Sequence, residues 1–232
     1  MNSILSQIRS SPIAARVVPF GLFVTLTSCQ AIGFLGPAAP YWIYFGKTLI
    51  GAALVWFTWS VVTEMRWKFS PAAFAFGIGV FVLWIGLDPL VKLLGLPTGW
   101  LRTGSSPVSS PLEQFAAVPA LGWFFVVMRI AGSSIVVPML EEIFYRSFLY
   151  RYLQKADIVN VPLGGFVGVP FLVSSLVFGF AHHEWLAGVL CGFCYQGLVC
   201  WKGRTSDAIA AHGITNFLLG LWVVSRDAWQ YW

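Results

Sequence analysis

Three runs near the start of the chain, Val17 to Gly36, Trp42 to Thr63 and Ala72 to Leu94, hold about 20 residues each. Between them they contain only Lys47, Asp88 and Lys92 as charges. A run of that length and apolarity is what crosses a bilayer as a helix. The rest of the chain agrees. Of its 232 residues, 58% are hydrophobic and only 10% are charged, whereas a soluble domain carries about 25% charged residues to solvate its surface. The mean hydropathy is +0.77. These values exclude a soluble enzyme, a secreted disulfide scaffold and a disordered chain. The expected fold is all-α: a polytopic membrane bundle of about eight transmembrane or partly embedded helices. The first residues, MNSILSQIRSSPIAAR, show no cleavable signal pattern and read as a short cytoplasmic tail.

A single membrane domain over 1–232 is expected, with N-terminal helices in 17–114 and a second set in 115–225. Gly95 to Gln114, rich in Pro, Gly and Ser, is the longest candidate loop. Phe115 to Ile130 is a fourth apolar run, closed by a break at Ala131-Gly132-Ser133-Ser134. Ile135 to Leu153, Phe166 to His182, Trp185 to Trp201 and Asp207 to Ser225 complete the set. The net charge of +5 is read as a topology signal, not as a nucleic-acid surface. Arg9 and Arg16 precede the first run, Arg66, Lys68, Lys155, Lys202 and Arg204 fall between runs and Arg151 at the end of one, and all prefer the inside face. That parity works if Phe115 to Leu153 makes one net crossing. The chain is therefore expected to be an integral, multi-pass protein of the plasma or cytoplasmic membrane, with no nucleic-acid partner.

Ionisable residues inside such runs cost about 2.5–3.5 kcal/mol each at a helix centre, so they mark protein-facing or water-filled places. Three of the last four runs carry them. Glu141-Glu142-Ile-Phe-Tyr-Arg146 has two carboxylates and a guanidinium, Phe178-Gly-Phe-Ala-His182 ends in an imidazole, and His212-Gly-Ile-Thr-Asn216 pairs a His with an amide. Glu142 and Arg146 are four apart and share a helix face, where they can pair. Glu141 lies about 100° around the helix and is free to point elsewhere. Carboxylate, imidazole and a His–amide pair are the parts hydrolysis needs: a base for water, a group that holds the water, and donors for an oxyanion. Taken singly, each residue is read more simply as helix–helix glue. Three clusters in one apolar half outweigh that reading.

Those residues also carry a resemblance. E-E-x-x-x-R, F-x-x-x-H and H-x-x-x-N, in that order from Glu141 to Asn216, resemble the CPBP family, the CAAX proteases and bacteriocin-processing enzymes also called Abi. These are intramembrane glutamate-type endopeptidases similar to the type II CAAX prenyl protease. The likeness covers about the C-terminal half. It implies Glu141 as general base, His182 as the partner that positions water, Glu142 and Arg146 in support, and His212 with Asn216 as the oxyanion pair. His183 and Glu184 are not part of the pattern. The implied partners are membrane lipid and a peptide or lipidated protein substrate: a prenylated C-terminus, a bacteriocin-like leader or an anchored sorting tail.

Other chemistries are weaker. His183-Glu184-Trp-Leu-Ala187 begins like H-E-x-x-H but puts Ala at the second ligand position, so neither a metal site nor a cofactor is expected. Cys191-Gly-Phe-Cys194 sits in an apolar helix without a redox context. Gly132-Ser133-Ser134 lacks the context of a serine protease. Lys47 is expected to snorkel to an interface. The competing function class is a non-proteolytic protein of the same fold, such as an immunity factor, scaffold or transporter. Convergence of Glu141, His182 and His212 on one cavity separates the two.

Overall fold

The computed structural model describes residues 4–29, 36–95 and 110–231. Most of the expected Gly95–Gln114 loop, the end of the first apolar run, and Trp100 and Trp232 lie outside the described residues. The described residues form nine helices and no strand. They are α1 (Ile4–Ser10), α2 (Ala14–Ser28), α3 (Ala39–Thr58), α4 (Pro71–Leu93), α5 (Pro111–Gln114), α6 (Pro119–Tyr152), α7 (Gly168–Phe180), α8 (Trp185–Lys202) and α9 (Ser206–Arg226). Proline at the first or second position starts α3, α4, α5 and α6, where its missing N–H costs nothing. Gly203 ends α8 and Asp227 ends α9, each in the left-handed conformation. Among the described residues, α4, α6 and α9 are long and apolar enough to cross a membrane. The chain is an integral membrane protein built as a helical bundle.

One expected element is corrected. The break at Ala131–Ser134 does not occur: α6 runs through it for 34 residues. Two π-helical stretches, Gly132–Val136 and Ile143–Leu149, take up the irregularity. The short α-helical stretch Val137–Glu142 between them carries the adjacent carboxylates. A real break would have left backbone groups unpaired in an apolar medium, whereas a π turn keeps nearly all of them bonded. The small residues that suggest a loop serve packing instead. A Cβ on Gly132 would stand 2.9 Å from Tyr44 Oη and from the Thr48 side chain.

Small residues also set the helix spacing around the site. A Cβ on Gly179 of α7 would come within 2.5 Å of the Val189 backbone of α8, and one on Gly77 of α4 within 2.7 Å of the Ala211 carbonyl of α9. Such contacts let membrane helices approach closely enough for dispersion to hold them. The core formed by α4, α6, α7, α8 and α9 centres on Tyr145, Phe178, Tyr195 and Leu198.

Basic residues gather at one end of the bundle, and two of them are not on its surface. Arg16 and Arg151 are buried and converge on Glu64, in the turn after α3. Arg16 Nη2 donates to both Glu64 oxygens at 2.6 and 2.8 Å, and Arg151 Nη2 donates at 2.6 Å. Burial pushes the Glu64 carboxyl up, and the Arg16 guanidinium and hydrogen bonds from the backbone and Ser147 together hold it below its ordinary value. Asp207, at the start of α9, accepts from Ser70 N and Oγ, both at 2.7 Å, and also bonds Arg204. The ends of α3, α6 and α8 are thereby tied to the starts of α2, α4 and α9.

Candidate active site

The E-E pair takes its two directions from the helix. Glu142 is fully buried, with Oε2 accepting from Arg146 Nε at 3.0 Å and Oε1 bonded to His212 Nδ1 at 2.9 Å. The i,i+4 pairing is local to α6, but the bond to His212 crosses to α9. Glu141 turns the other way. Its side chain is 16% exposed, and among the described residues its Oε2 has no hydrogen-bond partner.

Phe178, the first residue of F-x-x-x-H, ties the clusters together. Its carbonyl accepts from His182 Nδ1 at 2.8 Å, one helical turn on. That bond leaves Nε2 as the acceptor in the neutral ring, and Nε2 lies 4.0 Å from Glu141 Oε2. The Phe178 ring lies 4.8 Å from the Arg146 guanidinium carbon and 5.8 Å from the His212 ring. Arg146 therefore has one carboxylate and an aromatic face, and its two Nη atoms have no hydrogen-bond partner among the described residues. A burial of that kind is tolerable because the ring face carries partial negative charge.

His212 is held on three sides. Glu142 takes Nδ1, Tyr195 stacks on the ring at 5.1 Å and 19°, and Thr215 anchors the Tyr195 hydroxyl at 2.8 Å. Nε2 is left as the polar edge of the ring. Asn216, one turn later, donates Nδ2 to the Ser133 carbonyl at 2.8 Å. The π turn makes that carbonyl available. The Val137 N–H bonds Gly132 O, five residues back, and the next residue, Pro138, has no N–H to offer Ser133. One amide N–H of Asn216 fills the gap and the other is left for a ligand. Gly213, between His212 and Thr215, accommodates the neighbouring carbonyl, since a Cβ there would stand 2.6 Å from Ser134 O.

Glu141, His182, His212 and Asn216, from three helices, line one cavity of about 550 Å³. Glu142 and Arg146 lie behind its wall. Tyr195 and Thr215 were not legible as site residues, because nothing in a lone Tyr or Thr distinguishes a His-orienting role from packing. Lys47 is corrected outright. It is buried and lines the cavity, with Nζ donating to Thr27 Oγ1 at 2.8 Å. At 5% exposure its stem is enclosed by the bundle, and its ammonium is held inside the protein. Among the described residues, no group of three or more His, Cys, Asp or Glu side chains is placed to hold a metal ion.

No curated protein and no solved structure matches the chain. Residues 114–218 match the family described as type II CAAX prenyl endopeptidase Rce1-like. That segment begins just ahead of the long π-interrupted helix and closes just past Asn216. It takes in all three motifs, and over that segment, a little under half of its length, the chain is similar to the type II CAAX prenyl endopeptidase family.

Proposed function

We propose that the protein is a multi-pass membrane endopeptidase that hydrolyses a peptide bond in a lipid-modified, membrane-associated substrate, with Glu141 activating water. The observation that carries this reading is the convergence of Glu141, His182, His212 and Asn216 on one cavity. The 4.0 Å gap between Glu141 Oε2 and His182 Nε2 is too long for a direct hydrogen bond. It suits a water molecule donating to both, at ~2.8 Å from each. Such a water has both lone pairs left to face the cavity.

In the proposed reaction the water oxygen attacks the scissile carbonyl carbon while Glu141 takes its proton. The carbonyl oxygen becomes an oxyanion, which accepts the second N–H of Asn216 and, in the protonated form of the ring, Nε2–H of His212. Glu142 on Nδ1 supports that cationic form, in the way that a buried carboxylate supports a catalytic imidazolium. When the C–N bond breaks, the leaving nitrogen takes the proton from Glu141. The second water proton stays on the new carboxyl group and then passes to the amine, so the products are a carboxylate and an ammonium. No step requires a metal.

The direct test uses purified protein in lipid nanodiscs with a panel of prenylated C-terminal peptides, leader peptides and anchored tails. At least one member should be cut, and the rate should persist in a strong chelator. A panel left wholly uncut supports the non-proteolytic alternative. Chelator inhibition reversed by Zn²⁺ would replace Glu141 with a metal-bound water as the nucleophile's source.

Asn216→Ala should lower kcat by about 10²–10³ with little change in KM, since an oxyanion donor acts on the transition state. A rise in KM alone assigns Asn216 to substrate binding instead.

A further inference from the structure

Among the described residues, Trp84, Ser134, Glu141, Arg146, Ser175 and Thr205 carry a buried side-chain polar atom with no hydrogen-bond partner. Of these, Trp84 and Glu141 line the catalytic cavity. Their orphaned atoms are complementary. Glu141 offers Oε2, an acceptor, and Trp84 offers Nε1–H, which can only donate. Trp84 belongs to none of the three motifs and precedes the segment that matches the family.

The helix α4 brings Trp84 to the site. It stands seven residues, about two helical turns, beyond Gly77, on the face that Gly77 sets against the Ala211 carbonyl of α9. Its indole meets the His182 ring edge-on, with centroids 5.8 Å apart and planes at 72°. The Phe178 ring lies 4.6 Å from the same imidazole, and the Phe178 carbonyl holds its Nδ1. The other ring nitrogen, Nε2, stands 4.0 Å from Glu141 Oε2. One indole donor and two acceptors therefore border the same part of the cavity.

A buried N–H without an acceptor is costly, and more so in a bundle that bulk water does not reach. A phenylalanine would fill an apolar wall without that cost, so the indole at this place calls for an acceptor. A single water oxygen satisfies all three groups. It donates one hydrogen to Glu141 Oε2 and one to His182 Nε2, and accepts one from Trp84 Nε1. Three polar partners is the usual complement of a buried water.

We propose that Trp84 Nε1–H donates to the water shared by Glu141 and His182, occupying one lone pair and leaving the other aimed at the scissile carbon. The catalytic role of that water rests on the peptidase reading above. With three of its four tetrahedral directions filled, the water keeps the orientation that attacks. As Glu141 takes one proton, the oxygen gains negative charge, and the bond from Trp84 becomes charge-assisted and stronger. The oxygen then bonds to the carbonyl carbon and keeps its second proton. Trp84 thus acts on the transition state and leaves substrate affinity alone.

The test removes one N–H. Benzothienylalanine in place of Trp84 keeps the outline of the indole and puts sulfur where the N–H was, whereas fluorotryptophan keeps the N–H. On a peptide that the parent cuts, the benzothienyl protein and Trp84→Phe should both lose kcat by roughly 10–100-fold, the range of a hydrogen bond to a charged group. KM and the unfolding temperature in detergent should stay near those of the parent, and fluorotryptophan should keep most of the rate. A second readout needs no cleavage. The Trp84 indole N–H resonance, assigned by its loss in Trp84→Phe, should show a contact to bound water that His182→Ala removes.

Unchanged kcat in the benzothienyl protein overturns the proposal, as does a fluorotryptophan protein equally slow, which assigns the effect to ring packing. A rise in KM with kcat kept means that the N–H binds a substrate carbonyl, and the proposal fails while the peptidase reading stands. Absence of the water contact in the resting protein overturns the proposal whatever is cut. A protein that shows the contact and cuts no peptide keeps the three-point water site and loses the peptidase reading.

Discussion

Glu141→Gln should reduce the rate of peptide hydrolysis by a factor on the order of 10²–10⁴, the usual contribution of a positioned general base. The substitution keeps the shape of the side chain and its hydrogen-bonding reach, and removes only its ability to take a proton. Glu141 Oε2 has no hydrogen-bond partner among the described residues, so the substitution removes the charge and its attraction to Lys47 without breaking a hydrogen bond at that oxygen. KM and the unfolding temperature in detergent should therefore stay close to those of the parent. The chemistry separates the two adjacent carboxylates, because only Glu141 faces the cavity and only Glu142 is fully paired. Full activity in the Gln variant, on a substrate the parent cuts, would sink the assignment. A matching loss of stability and rate would mean that the residue is structural.

Glu142→Gln should behave in the opposite manner. Its two oxygens satisfy Arg146 and His212, and the side chains of Glu142 and Arg146 are 0% exposed. Neutralising one member of a buried ion pair leaves the other uncompensated, which costs about 3–5 kcal/mol. A stability loss of that size, read from unfolding in detergent, is expected alongside reduced activity in the folded fraction. The double variant Glu142→Gln with Arg146→Met then discriminates between the two functions of the carboxylate. Removing the stranded guanidinium should recover much of the stability, because the coupling between neighbours is strongly non-additive. It should not recover activity, since His212 has still lost the carboxylate on Nδ1. Recovery of both would show that Glu142 serves Arg146 alone, and a Gln variant as stable as the parent would remove the pair from the account.

These predictions draw on different levels of legibility. Glu142 with Arg146, and the one-turn spacing from Phe178 to His182, follow from helical periodicity, so they could be read directly from spacing. The ordered triple of motifs carries the family resemblance by itself. Burial of Arg16 against Glu64 could not be read in this way. A basic residue at the edge of an apolar run signals topology by default, and only the arrival of Glu64 from the turn after α3 makes its burial tolerable. The Gly-Ser-Ser stretch misled for a related reason. Small polar residues mark loops in water, and inside a helical bundle the same residues mark close packing.

From the sequence alone come the membrane-helical class, the approximate extents of the apolar segments, the family resemblance and the three clusters of ionisable residues. Each depends on composition or on contacts within one helix, where 3.6 residues per turn determine which side chains share a face. Only the tertiary structure decided that α6 is continuous through two π turns, that Glu142 reaches across to His212, that Asn216 occupies the carbonyl freed beside Pro138, and that Lys47 turns inward beside Arg129. All four depend on how far each helix is rotated and how deeply it is set against its neighbours. Many small packing contacts distributed over the whole bundle set those two quantities, and no local spacing encodes them.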